Sequence, residues 1–354
     1  MLNAPYWTFF LHGCEDVNIR GLTIINPPQT KNGDGIDIDC CRRVTVSDCR
    51  IKAGDDAITL RGNSQPFGEE LPCEYVTITN CVLTSARNGF RVGVGPGIVR
   101  YCTVSNIVVC DSPRAIYMVS RWNERWDVGT KIHDVTFSDF VIDTTRALHL
   151  ALGVKPQPRS EIWNISFKRF SGTVRAPSFL AGAPNVFIGK LELKDWDLCV
   201  QNETVSGDVP DTRVLGYPSR RGETTSDPEA QPAVVYGRYL ADLTVDCLQV
   251  RWGDCGSAWR HVLRLDDVTR AHVNEMTARQ PQEEGAVLYC ARSKSLTVRN
   301  STALPDTATF LYAESSPKGA SIRSLGNDLT EAATAFDADV EVVSTGDLRC
   351  SESG

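Results

Sequence analysis

The stretch VTVSDCRIKAGDDAITLRG, residues 44–62, places two short apolar patterns in tandem with a pair of aspartates between them. From Val44 onward apolar and polar residues alternate, which is the pattern of a strand buried on one face. Similar phrases recur 26 to 33 residues apart: VNIRGLTI from Val17, VTITNCVL from Val76, CTVSNIVV from Cys102, VTFSDFVI from Val135 and ISFKRFSG from Ile165. Short strands at that period predict an all-β solenoid, the parallel β-helix, in which each coil stacks on the next. Leucine-rich repeats share the period but need a leucine pattern that this chain lacks.

One position in each phrase carries a residue that suits a turn or a ladder of side chains between coils. The residues at this position are Gly21, Asp48, Asn80, Asn106, Asp139 and Arg169. We therefore predict a turn or ladder site at the same place in every coil.

A second family of strand patterns follows the first: GIDID, AITLR, GFRVG, AIYMV and ALHLA. Their inward apolar residues align as the column Ile36, Ile58, Phe90, Ile116 and Leu148. Two residues earlier stand Asp34, Asp56, Asn88, Arg114 and Arg146. Asp34 and Asp56 are thus expected on neighbouring coils, roughly 5 Å apart at the backbone. One residue after the inward column stand Asp37, Thr59, Arg91, Tyr117 and His149, which we predict to face solvent with Arg61 and to line a groove.

Composition narrows the possible partners of the chain. It has 354 residues, 42% of them hydrophobic, with a formal net charge of −7 and a pI near 5.4. That balance argues against nucleic acid and against an anionic membrane surface. The sequence has neither a run of about 18 apolar residues nor a recognisable signal peptide at its first residues. As given, the chain is expected in the cytoplasm, and an incomplete N-terminus would leave secretion open.

The cysteines indicate buried thiols rather than a disulfide framework. Their number, thirteen, is odd, and many stand inside apolar strand patterns. Cys40 and Cys41 are adjacent, but no second pair at zinc-site spacing accompanies them, so we predict no metal and no cofactor.

The chain is expected to form a single β-helix domain over residues 1–354. Residues 200–235 are polar and rich in Pro, Gly and Ser, which predicts an excursion from the coils. Strand patterns resume afterwards as LTVDCLQV, RAHVNEMTA and SLTVRNSTA, and the last residues, TGDLRCSESG, are expected to be a loose tail.

Two carboxylates on neighbouring coils repel each other, and such a pair invites a raised pKa. Hydrolysis of a glycosidic bond uses this arrangement, with one carboxylic acid to protonate the leaving oxygen and one carboxylate to activate water or attack carbon. Asp55, beside Asp56, adds a third group. The alternative is that Asn32, Asp34 and Asp55 are turn residues that bond to their own backbone.

At these residues the chain resembles glycoside hydrolase family 28, the polygalacturonase and rhamnogalacturonase family, as a divergent, bacterial-type member. NGDG at residues 32–35 is similar to the family's Asn-Thr-Asp-Gly signature and GDDA at residues 54–57 to its Gly-Asp-Asp-Cys signature. The resemblance extends over roughly residues 4 to 195. It implies a single-stranded right-handed parallel β-helix and an inverting hydrolase of pectin-like poly- or oligosaccharides. In that mechanism Asp55 is the general acid, and Asp34 and Asp56 hold the attacking water.

Two departures from the family pattern bear on the substrate. Residues 87–89 are Arg-Asn-Gly where the family has Gly-His-Gly, and residues 117–119 are Tyr-Met-Val where it has Arg-Ile-Lys. Both argue against polygalacturonic acid, although an arginine on the groove could take over an anion-binding role. The candidate substrate-binding residues are Asn32, Arg61, Asn88, Arg91, Arg114, Tyr117 and His149. Trp122 and Trp126 are further candidates for stacking on a sugar face.

The N-terminus also departs from the family, whose members have several coils and a capping helix before the catalytic coil. We expect either an incomplete gene product or a partner, such as a second copy in a homo-oligomer, that covers this end. Two other functions remain open: a non-catalytic carbohydrate-binding or adhesive β-helix, and a β-helix polysaccharide lyase, which would need Ca²⁺ and an arginine or lysine base.

Overall fold

The computed structural model describes residues 1–122, 126–153, 162–201, 233–255, 259–281 and 284–349. The chain divides into two compact units, residues 1–174 and 175–354. Most of the predicted polar excursion, residues 202–232, and the last five residues of the predicted tail lie outside the described residues. A single domain over the whole chain stays a prediction. Within the described residues, no helix has the length and apolar character needed to cross a membrane.

The first unit consists of parallel strands and one short 3₁₀ helix, Gln65–Phe67. Its strands are β1 (Phe9–His12), β2 (Glu15–Arg20), β3 (Thr23–Ile25), β4 (Ile36–Asp39), β5 (Arg42–Ser47), β6 (Arg50–Ala53), β7 (Asp56–Arg61), β8 (Cys73–Ser85), β9 (Asn88–Val92), β10 (Ile98–Arg121), β11 (Lys131–Gly153) and β12 (Ile162–Val174). Each early coil contributes three strands: β4 pairs with β7, β5 with the first half of β8, and β6 with its second half, all in parallel. The predicted parallel β-helix is confirmed.

The second unit repeats the parallel pairing. Its strands are β13 (Ser178–Ala181), β14 (Ile188–Val200), β15 (Ala233–Arg238), β16 (Leu240–Trp252), β17 (His261–Asp266), β18 (Ala271–Asn274), β19 (Thr277–Ala278), β20 (Leu288–Ala291), β21 (Ser295–Arg299), β22 (Thr302–Ala303), β23 (Thr307–Glu314), β24 (Ser321–Leu325), β25 (Asp328–Leu329), β26 (Ala332–Ala338), β27 (Val342–Thr345) and β28 (Leu348–Arg349). Here too three strands form a coil, since β17 pairs with β20, β18 with β21 and β19 with β22.

The core of the first unit contains the predicted inward column. Successive strands pair Ile36 with Ile58, Ile58 with Phe90, Phe90 with Ile116, and Ile116 with Leu148. All five side chains are at most 1% exposed. Stacking identical positions from coil to coil thus gives a continuous apolar interior. The described cysteines are all free thiols, and Cys73, Cys81 and Cys102 are buried in this interior.

The predicted turn position is confirmed at all six residues. Each has a left-handed backbone, with φ between 53° and 67°. Neighbouring coils are joined there by a ladder, because Asn80 Nδ2 donates to Asp48 Oδ1 over 3.2 Å and Asn106 Nδ2 donates to Asn80 Oδ1 over 2.6 Å. Asparagine and aspartate tolerate this conformation better than other residues with side chains. A second left-handed column, which the sequence analysis missed, bends the coils at Asp16, Arg43, Tyr75, Tyr101, Asp134 and Asn164.

Candidate active site

The acidic residues gather at the corner where one coil ends and the first strand of the next begins. Asp34 stands two residues before β4, and Asp56 is the first residue of β7. The Gly35 N–H donates to the carbonyl oxygen of Asp56 over 2.9 Å, which fixes the two coils side by side. A Cβ on Gly35 would lie 2.4 Å from the Ala57 carbonyl oxygen. Glycine follows Asp34 because the two backbones pass too closely for a side chain.

Asp34 is the most strongly perturbed carboxyl group of the corner. It is 4% exposed, and its Oδ1 is buried without a hydrogen-bond partner among the described residues. Burial, together with the negative charges of Asp37, Asp56 and Asp55, raises the pKa of Asp34 to about 9 against the opposing effect of Arg61. At neutral pH this group therefore holds a proton.

Asp56 is also shifted, but less. Burial raises its pKa to about 6, while Arg91 and a hydrogen bond from Asn88 favour its ionised form. Two carboxyl groups on neighbouring coils thus have pKa values pushed apart by their surroundings, so that Asp34 keeps its proton where Asp56 can ionise. Asp55 is half-exposed beside them, and its backbone carbonyl accepts a hydrogen bond from the Ser85 hydroxyl.

Asp37 is a fourth carboxyl group of the corner, one that the sequence analysis did not count as a site residue. Burial and, to a smaller extent, the charge of Asp56 raise its pKa to about 7 against the opposing charge of Arg61. Arg61 Nη1 lies 3.2 Å from Asp37 Oδ1, and Arg61 Nε lies 3.3 Å from Asp39 Oδ2. The signal that could have found Asp37 is its place in the alternating IDID pattern, directly after the inward Ile36 and in register beside Thr59.

The outward column has the predicted register but not the predicted exposure. Asp37 pairs with Thr59, Thr59 with Arg91, Arg91 with Tyr117 and Tyr117 with His149. Yet all of these except the half-buried Tyr117 are at most 7% exposed, and Arg61 is 8% exposed. The prediction that they face solvent is wrong.

The reason is that these polar side chains pack on one another and on aromatic rings. The guanidinium of Arg61 lies 4.5 Å from the ring centre of Trp7, and that of Arg91 lies 4.3 Å from the ring centre of Tyr117. The rings of Tyr117 and His149 are 4.9 Å apart. Cation–aromatic contacts and the packed rings of Tyr117 and His149 therefore cover the column that was predicted to face water.

The side chain of Asn88 is hydrogen-bonded to residues of both neighbouring coils. Its Nδ2 donates to Asp56 Oδ1 over 2.5 Å, and its Oδ1 accepts from Arg114 Nη1 over 3.3 Å. Arg114 and Arg91 place positive charge at one end of the corner. Burial and the charges of Arg91 and Arg87 therefore lower the pKa of Arg114. Burial and nearby arginines also hold the pKa of His149 well below its usual range, so its imidazole is neutral.

The remaining candidates lie at the margins. Asn32 is exposed and left-handed, with φ 54°, in the turn that leads to Asp34. Trp126 is 6% exposed, and its indole donates to Gln65 Oε1 over 3.2 Å, so it is fixed against the 3₁₀ helix Gln65–Phe67. Residues 123–125 between the two tryptophans lie outside the described residues. The substrate-binding roles assigned to Asn32, Arg61, Asn88, Arg91, Arg114, Tyr117 and His149 stay predictions.

Two groups of the described residues bring metal-ligating atoms close together. They are His12, Asp39 and Cys40, and Asp246, Cys247 and Glu275. In the first group Arg61 already faces Asp39, and burial raises the pKa of the Cys40 thiol, which disfavours the thiolate that a metal needs. In the second group, a hydrogen bond to Glu275 raises the pKa of Cys247 to about 12.

Comparison with known proteins gives one family match, and it covers the acidic corner. Residues 1–113 match the family described as glycosyl hydrolases family 28. This segment contains Asp34, Asp55 and Asp56, and it ends before Tyr117 and His149.

Similar curated proteins are polygalacturonases of plants. A polygalacturonase of Juniperus ashei is 25% identical over 209 residues, 49% of this chain and 41% of that protein. One of Chamaecyparis obtusa is 27% identical over 140 residues, 33% and 27% of the two chains. A probable polygalacturonase of Vitis vinifera is 32% identical over 68 residues, 19% and 14%. The aligned parts thus span less than half the length of these relatives.

Among solved structures, the A-module of the mannuronan C-5 epimerase AlgE4 from Azotobacter vinelandii aligns with 93% of this chain and 90% of its own. The identity is 11% and the TM-score 0.36. A score that low carries no argument about the fold or the site, and the parallel β-helix rests on the strand pairing described above.

Proposed function

We propose that the chain is a glycoside hydrolase that cleaves O-glycosidic bonds of pectin-like or related poly- and oligosaccharides by an inverting acid–base mechanism. The observation that carries the proposal is the corner of Asp34, Asp55 and Asp56, where carboxyl groups with separated pKa values lie on neighbouring coils. The family match over residues 1–113 supports the same chemistry.

The pKa shifts of Asp34 and Asp56, with the exposure of Asp55, support a separate catalytic role for each aspartate. Asp56 is the better base, because Arg91 and Asn88 favour its ionised form while Asp34 keeps its proton. A water held between Asp34 and Asp56 would lose a proton to Asp56 as it attacks the anomeric carbon. Asp55, which is partly exposed like Asp56, would donate its proton to the leaving glycosidic oxygen. Inversion requires room for that water, a carboxyl separation of about 6.5 to 9.5 Å between acid and base.

The positive end of the corner favours substrates that carry a carboxylate. Arg91 and Arg114 come from neighbouring coils and both lie against Tyr117, at 4.3 Å and 5.1 Å from its ring centre. The Nε of Arg114 is buried without a hydrogen-bond partner among the described residues. A uronate group could supply the missing acceptor, in place of the Arg-Ile-Lys triplet that the chain lacks.

A non-catalytic sugar-binding β-helix is the alternative function, and the burial of Asp34 favours it. With 4% of its surface exposed, this side chain leaves little access for water and substrate. The two functions are separated by incubating the protein with a panel of pectic and neutral oligosaccharides and following the anomeric signals by NMR. Hydrolysis with inversion supports the proposal, whereas binding without product supports the alternative.

A further inference from the structure

A second polar and aromatic site lies in the second unit, away from the acidic corner in sequence. It is a surface cleft of about 240 Å³, whose lining includes Asn185, Phe187, Tyr239, Asp267, Arg292 and Lys294. Tyr239, Asp267 and Arg292 directly follow β15, β17 and β20, which pair in parallel. All three have left-handed backbones, with φ of 51°, 55° and 51°, so the coil corner turns these side chains together at one place.

One wall of the cleft is aromatic. Phe187 is 40% exposed, and its ring meets that of Tyr239 edge to face at 5.9 Å and 86°. Arg238 contacts Tyr239 twice. Its guanidinium lies 4.8 Å from the ring centre of Tyr239, and its Nη2 donates to the Tyr239 hydroxyl over 3.2 Å. An exposed phenylalanine held in place by a rigid neighbour offers a flat apolar surface to a ligand.

The lining also carries charged residues, and one of its cations has no ion pair among the described residues. Arg292 donates to Asp267 from Nε over 3.1 Å and from Nη2 over 3.1 Å, so these two charges hold each other in place. Lys294 is exposed, and among the described residues its ammonium group has no ion pair. The cleft therefore combines a flat apolar face, fixed polar groups and an unmatched positive charge.

We propose that this cleft binds a single uronic acid residue, an acidic sugar, without hydrolysing it. A pyranose has an apolar face that can lie on Phe187 and hydroxyl groups that can bond to Asp267 and Asn185. A uronate also has a carboxylate, which can pair with Lys294. The volume is below the roughly 300 to 1,000 Å³ of pockets that enclose a drug-sized ligand, so one ring fits better than a chain. The inference does not depend on the proposed hydrolase activity.

The chemistry of the lining excludes catalysis and disfavours other acids. Asp267 is the one carboxylate among the lining residues named for the cleft, and it is ion-paired, so an acid and a base are not both available. A flat aromatic acid would stack on Phe187 but would offer no hydroxyl groups to Asp267 and Asn185. A ligand with several phosphates would meet the negative charge of Asp267.

The test observes Phe187 directly by ¹⁹F NMR of protein labelled with fluorophenylalanine. The Phe187 resonance is assigned by its absence in Phe187→Leu and is then followed during titration with D-galacturonate, D-galactose and benzoate. We expect the resonance to shift with galacturonate at millimolar concentration, and to shift less at every concentration of galactose or benzoate. The same shift is expected in Asp55→Asn, because the cleft acts independently of the acidic corner.

The charge requirement is tested with Lys294→Ala and a matched exposed lysine, Lys318→Ala. The Kd for galacturonate should rise about twofold to fivefold in Lys294→Ala, the range of an exposed ion pair, and stay constant in Lys318→Ala. A Phe187 resonance that does not respond to galacturonate would overturn the proposal. Equal affinity for galactose, tighter binding of benzoate, or an unchanged Kd in Lys294→Ala would overturn the assignment to an acidic sugar.

Discussion

Asn88 and Asp56 occupy paired positions on neighbouring coils, and the amide of Asn88 donates a 2.5 Å hydrogen bond to the carboxylate of Asp56. The bond favours the ionised form of Asp56, and Arg91 acts in the same direction. This is why the pKa of Asp56 rises less than that of Asp34, although burial is the largest cause of the rise in both. The difference between the two carboxyl groups therefore comes from residues one coil further along the chain.

Replacing Asn88 with alanine should move the pH dependence of activity. Without the amide donor the pKa of Asp56 rises above about 6, and the proposed base is protonated over a wider range. The pH at which kcat/KM falls on the acid side should then move upward. Above the new pKa of Asp56, the variant should lose less activity relative to wild type. The control is Asn106→Ala, which removes a comparable bond between coils, to Asn80, at the turn ladder. Identical profiles for both variants and the wild type would refute the positioning role of Asn88.

The acidic corner should make the folded protein less stable as pH rises. The folded pKa of Asp34 is raised above its unfolded value of 3.8, so the native state binds the extra proton. Its contribution to stability is present below pH 4 and is lost as pH rises towards 9. Asp34→Asn should therefore raise the melting temperature at pH 8 relative to wild type and change it little at pH 4.

Asp48→Asn is the control for that experiment, because its effect on stability should have the opposite sign. Hydrogen bonds from Asn80 and Ser47 lower the pKa of Asp48, so its contribution is present at neutral pH and is lost on acidification. This variant should be less stable than wild type at pH 8, with a gap that narrows in acid. A destabilised Asp34→Asn protein at pH 8 would show that the raised pKa is not the controlling feature.

Arg61 should be required for folding stability, contrary to its predicted place on an open groove. Asp37 and Asp39 are fully buried, and Arg61 pairs with both. Breaking a buried pair by removing one partner costs about 3 to 5 kcal/mol. Arg61→Ala should lose about that much in urea unfolding. Arg169→Ala, which breaks an exposed pair with Asp139, should lose at most about 1 kcal/mol. Equal losses would mean that the Arg61 pairs are worth no more than a surface contact.

Arg91 should distinguish charged from neutral substrates. If its guanidinium binds a substrate carboxylate, Arg91→Ala should reduce kcat/KM on uronate oligosaccharides about tenfold or more and reduce it less on neutral ones. Because Arg91 also lowers the pKa of Asp56, rates are compared on the high-pH plateau, where Asp56 is ionised in both proteins. Arg100→Ala, at a pair with Glu74 outside the corner, is the control. Equal loss on both substrate classes would assign Arg91 a structural role.

The alternation of apolar residues was sufficient to predict the coils and the register. The order Ile36, Ile58, Phe90, Ile116 and Leu148 follows from the period of two within each strand, because a slip by one residue would turn the core outward. Turn chemistry similarly predicted the left-handed residues from Gly21 to Arg169.

Burial of the outward column could not be predicted in the same way. Whether Arg91 faces water depends on Tyr117 and Trp122, whose rings reach it from the following coil and loop. The second left-handed column was missed because aspartate and asparagine are mixed there with tyrosine and arginine, as at Tyr75 and Arg43, so that no consistent turn signal repeats along the sequence. The difference in pKa between Asp34 and Asp56 likewise depends on contacts between coils, which no single strand pattern in the sequence shows.

Proton donation from Asp55 to the leaving oxygen is tested by the turnover of Asp55→Asn. Asparagine nearly preserves the shape of the side chain but cannot act as an acid, so kcat/KM on the best oligosaccharide should fall by at least about 10²- to 10⁴-fold. The melting temperature should stay at or above that of wild type, and Asp111→Asn, an exposed aspartate outside the acidic corner, should keep full activity. Full activity in Asp55→Asn would contradict the account, because a turn residue is served equally well by asparagine.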